Sequence, residues 1–177
     1  MRYYLFFLSY LFCLSSSAQI KIEDKEVNGL RVITAYPVFT DDPRYPGCWS
    51  FGIGASKSEV RKPMYVFFIS ITGLNAELLP TNPGILIRLF DGQVMKLRAK
   101  EVKDIPNKNY AVAISLELSE AQLALFKKGI KKVRIEKQEG YTEHEYDEDI
   151  AGHYLYESYT TIKQQYAKPR QSFEEGF

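Results

Sequence analysis

The stretch TEHEYDEDIAGHYLYE, residues 142–157, holds both histidines of the chain and six acidic side chains. Imidazole nitrogens and carboxylate oxygens are zinc ligands, and a zinc site needs three or four of them around one point. In a helix, Asp149 and His153 lie one turn apart on the same face and could supply two ligands. A third would have to come from His144 or Glu145. The sequence therefore allows a small metal-dependent or hydrolytic enzyme centred on His144, Asp149 and His153.

A structural role explains the same residues. Asp147 is placed to cap a helix, and Glu148 and Asp149 in the first turn suit the positive end of the helix dipole. Apolar side chains recur downstream at helical spacing, which predicts a C-terminal helix that starts within this stretch and ends near Ala167. His153 then faces solvent beside Asp149 and contributes a surface contact only. This interpretation predicts no cofactor.

The N-terminus, MRYYLFFLSYLFCLSSSAQ, is typical of a secretory signal peptide covering residues 1–18. It has one positive charge, a short apolar run and small residues before Gln19. Cys13 leaves a lipoprotein as an alternative, but the bulky Phe12 before it disfavours lipid attachment. We therefore expect an exported protein, in the periplasm or on the cell surface, and no later apolar run is long enough to cross a membrane.

Charge and cysteine content limit the partners. Removal of residues 1–18 takes away Arg2, so 23 basic groups become 22 and balance the 22 acidic ones. A neutral chain has no global field that attracts nucleic acid. Cys48 is then the single cysteine, so no intramolecular disulfide can form. It suits a small buried group, because a catalytic thiolate needs a neighbouring base.

Two places are candidate contacts with an unknown protein or glycan. The loop TDDPRYPG, residues 40–47, presents Arg44 and Tyr45 between prolines, and both residue types are enriched at interfaces. Tyr156 is predicted on the outer face of the C-terminal helix. The basic run KKGIKK, residues 127–132, divides between a helix end and a strand, which indicates a solvated surface.

Strand patterns dominate the first two thirds of the chain. Asn28-Gly29 and Asp91-Gly92 are typical hairpin turns between strand-like runs. CWSFGIGAS and YAVAISLEL each alternate large apolar residues with small ones, and we expect the C-terminal helix to dock on their small faces. MYVFFISI is apolar on nearly both faces, as in a central strand.

A short helix interrupts the late strands at LSEAQLALFKKGI. Ser119 and Gln122 predict a capping box at its start. Gly129 stands where a helix end takes a positive φ, and the run of residues 131–137 predicts one more strand.

The segments ILIRLFDGQVMKL and LSEAQLALFKKGIKKVRIE resemble a pattern found in small secreted or periplasmic β-rich proteins of Bacteroides-type Gram-negative bacteria, whose function is unknown. The resemblance covers about a third of the chain. It implies a β-sandwich-type fold and export, and it transfers no catalytic residue.

Together these patterns predict one mainly β domain over residues 19–167, followed by a mobile tail. The fold is an antiparallel β-sandwich or bent sheet of about seven to nine strands, with one short inserted helix and a longer C-terminal helix. No cluster of acid, base and nucleophile is evident. The leading functional hypothesis is a non-enzymatic binding or assembly module of the cell envelope, and the metal-dependent enzyme described above is the alternative.

Overall fold

The computed structural model describes residues 20, 22–39, 47–57, 62–105 and 110–168 of the chain. The predictions for the signal peptide, for Arg44 and Tyr45, and for the tail beyond Lys168 lie outside these residues.

Ten strands, two α-helices and two 3₁₀ turns make up the described chain. They are β1 (Ile22–Val27), β2 (Leu30–Phe39), β3 (Trp49–Lys57), β4 (Met64–Thr72), β5 (Gly84–Leu89), β6 (Val94–Arg98), β7 (Glu101–Asp104), β8 (Ala111–Leu118), β9 (Ile130–Glu136), β10 (Tyr141–Glu145), α1 (Glu120–Leu125) and α2 (Gly152–Ala167), with 3₁₀ turns at Ala76–Leu78 and Phe126–Lys128.

All strand pairs in the described chain are antiparallel, and they form two sheets. Sheet A has the order β1-β2-β3-β4-β8-β7, and sheet B has the order β10-β9-β5-β6. The predicted mainly β fold with two helices is confirmed. The strands β7 and β10 were not expected, because neither shows a clear alternation of apolar and polar residues.

Both predicted hairpins are present. Asn28 and Gly29 take positive φ values of 52° and 73° and join β1 directly to β2, as a type I′ turn requires. The turn at Asp91-Gly92 is longer, since β5 ends at Leu89 and β6 begins at Val94. In that turn the Gly92 N–H donates to the Leu89 carbonyl, 3.0 Å away.

One hydrophobic core is shared by the buried faces of both sheets and by the helices. Phe51 on β3 and Phe67 on the central strand β4 are fully buried and stack with ring centroids 6.0 Å apart. Ile87 and Val133 of sheet B are equally buried. Each such side chain contributes about 1.5–3 kcal/mol through removal of apolar surface from water.

The docking face predicted for the C-terminal helix is wrong. The Tyr159 ring of α2 meets Tyr65 edge-on at 5.3 Å, and the Tyr166 hydroxyl lies 2.8 Å from the Ala55 carbonyl. Ala55 and Tyr65 are paired in the β3–β4 register, so they share the face that carries the large residues. The helix covers this apolar face near the end of β3. Near the start of β3 the face is covered by residues that follow β10 in the chain, where the Tyr146 ring meets the Phe51 ring. The opposite face of β3 carries the small residues, and the Phe68 ring packs beside it. A Cβ placed on Gly54 would lie 3.2 Å from that ring.

The start of α1 matches its sequence signature. The Ser119 hydroxyl accepts a hydrogen bond from the Gln122 N–H at 3.3 Å, and the Ser119 N–H donates to Gln122 Oε1 at 2.9 Å. This capping box fixes the turn that buries Leu123 and Phe126 in the core. Gly129 follows with a φ of 74°, as expected.

Among the described helices, none has the length and apolar character needed to span a membrane.

We expect Ser119→Ala to lower the free energy of unfolding by about 1 kcal/mol, because the N–H groups at the start of α1 lose their acceptor. Urea unfolding followed by circular dichroism measures this change. Ser119→Thr keeps the hydroxyl and is the matched control, with a smaller loss. An equal loss of unfolding free energy in Ser119→Ala and Ser119→Thr would show that the Ser119 hydroxyl does not stabilise the start of α1.

Candidate functional site

The stretch that holds both histidines is not one helix. Its first part is the strand β10, which pairs with β9 and places His144 opposite the buried Val133. The half-buried His144 ring therefore points toward the core side of sheet B. Its centroid lies 4.6 Å from that of Tyr146 and 6.0 Å from that of Trp49. His144 is thus packed within an aromatic group.

The N-cap position of α2 is Ala151, which makes no side-chain cap hydrogen bond. The side chain of Asp149 accepts from the first N–H groups of the helix instead, a role predicted for Asp147. Its Oδ1 accepts hydrogen bonds from the N–H groups of Ile130 and Gly152, at 3.0 and 2.7 Å. Its Oδ2 accepts from the His153 N–H at 2.9 Å and also contacts the His153 ring nitrogen Nδ1. Asp147 is not the cap because α2 begins only at Gly152, five residues later.

The environment of Asp149 favours its charged form. Burial opposes ionisation, but the N–H donors of Ile130, Gly152 and His153, together with the His153 ring, outweigh it, so the pKa of Asp149 falls below its usual range. The carboxylate is only 10% exposed, whereas the His153 side chain is 69% exposed. Asp149 therefore acts as a fixed structural anion.

Two glycines make room for this carboxylate. A Cβ on Gly152 would lie 2.6 Å from Gly129 Cα and 2.8 Å from the Ile130 nitrogen. A Cβ on Gly129 would lie 3.0 Å from both Cβ and Cγ of Asp149. The start of α2 therefore packs backbone to backbone against the start of β9. We call Gly129, Asp149 and Gly152 the glycine joint.

The structure brings Asp149 and His153 together. Within the described part of the chain, however, no group of three or more His, Cys, Asp or Glu side chains is arranged to hold a metal ion. The oxygens of Asp149 are already used by three N–H groups. The enzyme alternative centred on His144, Asp149 and His153 thus has two contacting side chains and, among the described residues, no third ligand beside them.

The other predicted site residues lie apart from this stretch. Cys48 is 3% exposed at the start of β3, which matches the small buried group expected there. Tyr156 is half-buried and packs against the core, with its ring centroid 6.4 Å from that of Tyr159. It is therefore less available to a partner than its predicted place on the outer face of α2 implies.

A different surface has the features of a binding site. The side chains of sheet B that point away from the core form one continuous face, which we call the outer face. Its residues are Gly84, Leu86, Arg88, Val94, Lys96, Arg98, Lys132, Arg134, Glu136, Tyr141, Glu143 and Glu145.

The outer face contains a recess of about 540 Å³. Gly84 and Leu86 lie in the middle of its lining, with Lys96 and Arg98 on one side and Arg134, Glu136 and Tyr141 on the other. A second recess of about 170 Å³ shares Leu86 and Arg134 with the first and extends to Arg88, Val94 and Lys132. The two recesses adjoin at Leu86 and Arg134 and follow each other along β5, and we call them together the groove.

Charges cancel on the β9–β10 half of the outer face. Lys132 Nζ lies 2.8 Å from Glu143 and 3.1 Å from Glu145, and Arg134 Nε donates to Glu143 at 2.7 Å. Hydrogen bonds from Lys132 and Arg134 hold the pKa of Glu143 below its usual range. The same contacts, with Glu143 foremost, raise the pKa of Lys132. These groups stay ionised and neutralise one another.

The β5–β6 half carries positive charge alone. In the described chain, Arg88, Lys96 and Arg98 have no carboxylate partner within ion-pair distance. The Arg98 guanidinium donates to the Asn82 carbonyl, at 3.2 Å. Lys96 lies opposite Leu86 and Arg98 opposite Gly84, so both flank the floor of the larger recess. The groove is therefore electropositive along this side.

The floor between the charges is open and partly apolar. Leu86 is 37% exposed, and Tyr141 is 53% exposed with the Arg134 guanidinium carbon 4.1 Å from its ring centroid. Gly84 adds bare backbone, and its N–H donates to Glu136 Oε2 at 2.8 Å. The groove thus combines an aromatic ring, an aliphatic side chain, a carboxylate acceptor and several cationic donors.

The sequence contains a signal for this face that was not interpreted as a site. In ILIRL, VMKLR and KKVRIE, basic residues occupy positions that alternate with apolar ones. Each strand therefore has basic side chains on one face of the sheet. The strands are separated in sequence. Only their register in sheet B places Arg98, Gly84 and Glu136 side by side.

Comparison with known protein families, with curated proteins and with solved structures finds no match to this chain. The resemblance to Bacteroides-type exported proteins stays a prediction.

The glycine joint predicts how stability depends on pH. The folded pKa of Asp149 is depressed, so its stabilising effect is complete above the unfolded value of about 3.9. It is lost as the pH falls through the lower folded value. An asparagine side chain at this position would keep the shape without the charge, so Asp149→Asn should unfold more easily than the wild type at pH 7. The difference in unfolding free energy between the wild type and Asp149→Asn should become smaller as the pH falls.

Urea titrations of both proteins between neutral pH and acid measure this difference. Asp147→Asn, two residues away and exposed, is the matched control and should follow the wild type at every pH. A constant gap between wild type and Asp149→Asn across the series would mean that ionisation of Asp149 does not stabilise the fold.

Proposed function

We propose that the protein is an exported, non-enzymatic binding module of the cell envelope, and that it binds an anionic ligand in the groove on the outer face of sheet B. One observation carries this proposal: three cationic side chains that have no carboxylate partner among the described residues border a groove with a partly apolar floor. The signal-peptide pattern at residues 1–18 supports export to the periplasm or the cell surface.

The charge distribution supports a ligand rather than a solvated surface. On the β9–β10 half of the same face, this chain neutralises its cations with glutamates placed opposite them in register. Among the described residues, the β5–β6 half has no such partners for Arg88, Lys96 and Arg98. Clustered like charges repel one another, and an anionic ligand removes that cost when it binds.

The shape of the groove also suits binding. Ligand sites are concave, have apolar linings and hold a few polar groups that fix orientation. The larger recess has this composition, with Leu86 and Tyr141 beside Lys96 and Arg98. Because these groups project from strands rather than loops, their positions are set by the ladder hydrogen bonds of sheet B.

Binding without catalysis is the function that the lining supports. Acid–base or nucleophilic catalysis needs a nucleophile and a base within hydrogen-bond reach. The described residues of the larger recess offer one carboxylate, Glu136, and no histidine, cysteine or serine. Glu136 is itself hydrogen-bonded to the Gly84 N–H.

We expect the double variant Lys96→Glu/Arg98→Glu to weaken binding of carboxylate polymers by about tenfold or more, since each lost charged contact costs about 1.5 kcal/mol or more. Biolayer interferometry with immobilised protein and two soluble polymers, polygalacturonate and polyglutamate, measures the affinity. The affinity of the wild type should also fall with added salt.

Lys100→Glu/Lys103→Glu is the matched control. Both lysines are exposed on or beside β7 of sheet A, and their reversal changes the net charge by the same amount. Binding by this control should stay close to the wild type. The proposal fails if neither polymer binds the wild type, or if the two double variants lose affinity equally.

A further inference from the structure

Resting on the proposed function, we propose that the ligand of the groove is an acidic glycan, a chain of carboxylate-bearing sugars that lies over β5 and β9, between the cations of β6 and Tyr141 of β10. The inference depends on three properties of the groove: its mixture of acceptor and donor groups, its flat apolar floor, and its position on the face of a sheet instead of an edge.

The row through Gly84 contains both an acceptor and a donor. Glu136 Oε2 lies 2.8 Å from the Gly84 nitrogen, and Arg98 is paired with Gly84 across the β5–β6 ladder. A ligand with negative charge alone would bring an anion next to the Glu136 carboxylate, which is repulsive. A sugar acid offers a carboxylate to Arg98 and hydroxyl donors to Glu136, so it satisfies both.

The floor suits the flat C–H face of a sugar ring. Tyr141 exposes about half of its surface on the β10 side of the recess, with the Arg134 guanidinium against its ring, and Leu86 lies on β5. Between them Gly84 has no side chain, and a Cβ there would lie 3.0 Å from Glu136 Oε2. A side chain at this position would fill the space between the cations and the tyrosine. The glycine keeps the platform open.

An acidic peptide fits this place less well. Extended peptides bind to sheet edges, where main-chain hydrogen bonds supply the affinity. The groove lies over β5 and β9, which are inner strands of sheet B, and their backbone groups are used in the ladders with each other and with β6 and β10. A ligand at this place must therefore be recognised by side chains. A glycan suits such a place, because it has no backbone amide groups that would be left without hydrogen bonds.

The length of the groove favours a chain over a single sugar. The two recesses meet at Leu86 and Arg134. Arg98 and Lys96 are two residues apart on β6, which is about 7 Å, and Arg88 lies one step further along the sheet on the neighbouring strand β5, opposite Val94. Cations spaced along the groove match a ligand that repeats its negative charge from unit to unit.

The test compares three soluble polymers on the intact protein. Polygalacturonate carries carboxylates on sugar rings, polyglutamate carries carboxylates on a peptide chain, and dextran carries sugar rings without charge. We expect polygalacturonate to bind at least about tenfold more tightly than polyglutamate at equal carboxylate concentration, which corresponds to about 1.4 kcal/mol. Dextran should bind more weakly than both.

Tyr141→Ala separates recognition of the ring from recognition of charge. It should lower the affinity for polygalacturonate severalfold more than the affinity for polyglutamate, while Tyr110→Ala, at a tyrosine that is 66% exposed and outside the groove, changes neither. Thermal melts check that both variants are folded. If polyglutamate binds as tightly as polygalacturonate, the glycan inference is wrong and the anion-binding function stands. If no carboxylate polymer binds, the proposed function is wrong as well.

Discussion

The close approach of Gly129 and Gly152 is the constraint on which the arrangement of the fold depends. A Cβ on Gly152 would lie 2.6 Å from Gly129 Cα, and a Cβ on Gly129 would lie 3.0 Å from Asp149, so neither position has room for a side chain. The Asp149 carboxylate bonds to N–H groups on both sides of the contact. Because Ile130 begins β9 and Gly152 begins α2, the glycine joint fixes the helix relative to sheet B. The other end of α2 is held to sheet A by Tyr166, whose hydroxyl lies 2.8 Å from the carbonyls of both Arg31 and Ala55.

The position of α2 decides which surfaces remain accessible. The helix covers the apolar face of sheet A near Tyr65, and the apolar face of sheet B packs on the same core. Both helices therefore lie on the core side, and in the described chain no helix or strand covers the outer face of sheet B. The groove at Leu86 and Arg134 is formed by a sheet whose opposite side packs in the core. The groove is open in this structure, so the proposed ligand would reach it without a rearrangement of the fold.

Much of the fold follows from local sequence, because hairpin turns and helix caps are specified by a few neighbouring residues. Asn28-Gly29 and the Ser119–Gln122 box are examples. The docking of α2 is not local: on the small face of β3 the Phe68 ring already packs near Gly54, and the helix covers the large face, which has more apolar surface to bury. Strand β10 was missed because YTEHE has no apolar alternation and is held by charge pairs with β9. The groove was missed for a related reason, since its cations and its glycine come from different strands.

The most direct test of the central claim is a ¹⁵N–¹H NMR titration of the intact protein with a short oligogalacturonate. We expect the largest amide shifts to map to β5, β6 and β9, around Gly84, Leu86, Lys96, Arg98 and Arg134. The amides of α2 should hardly move, because the helix lies on the core side of the sheets, away from the outer face. Shifts concentrated on α2 or around His144 and His153, or no shifts at all, would contradict the claim.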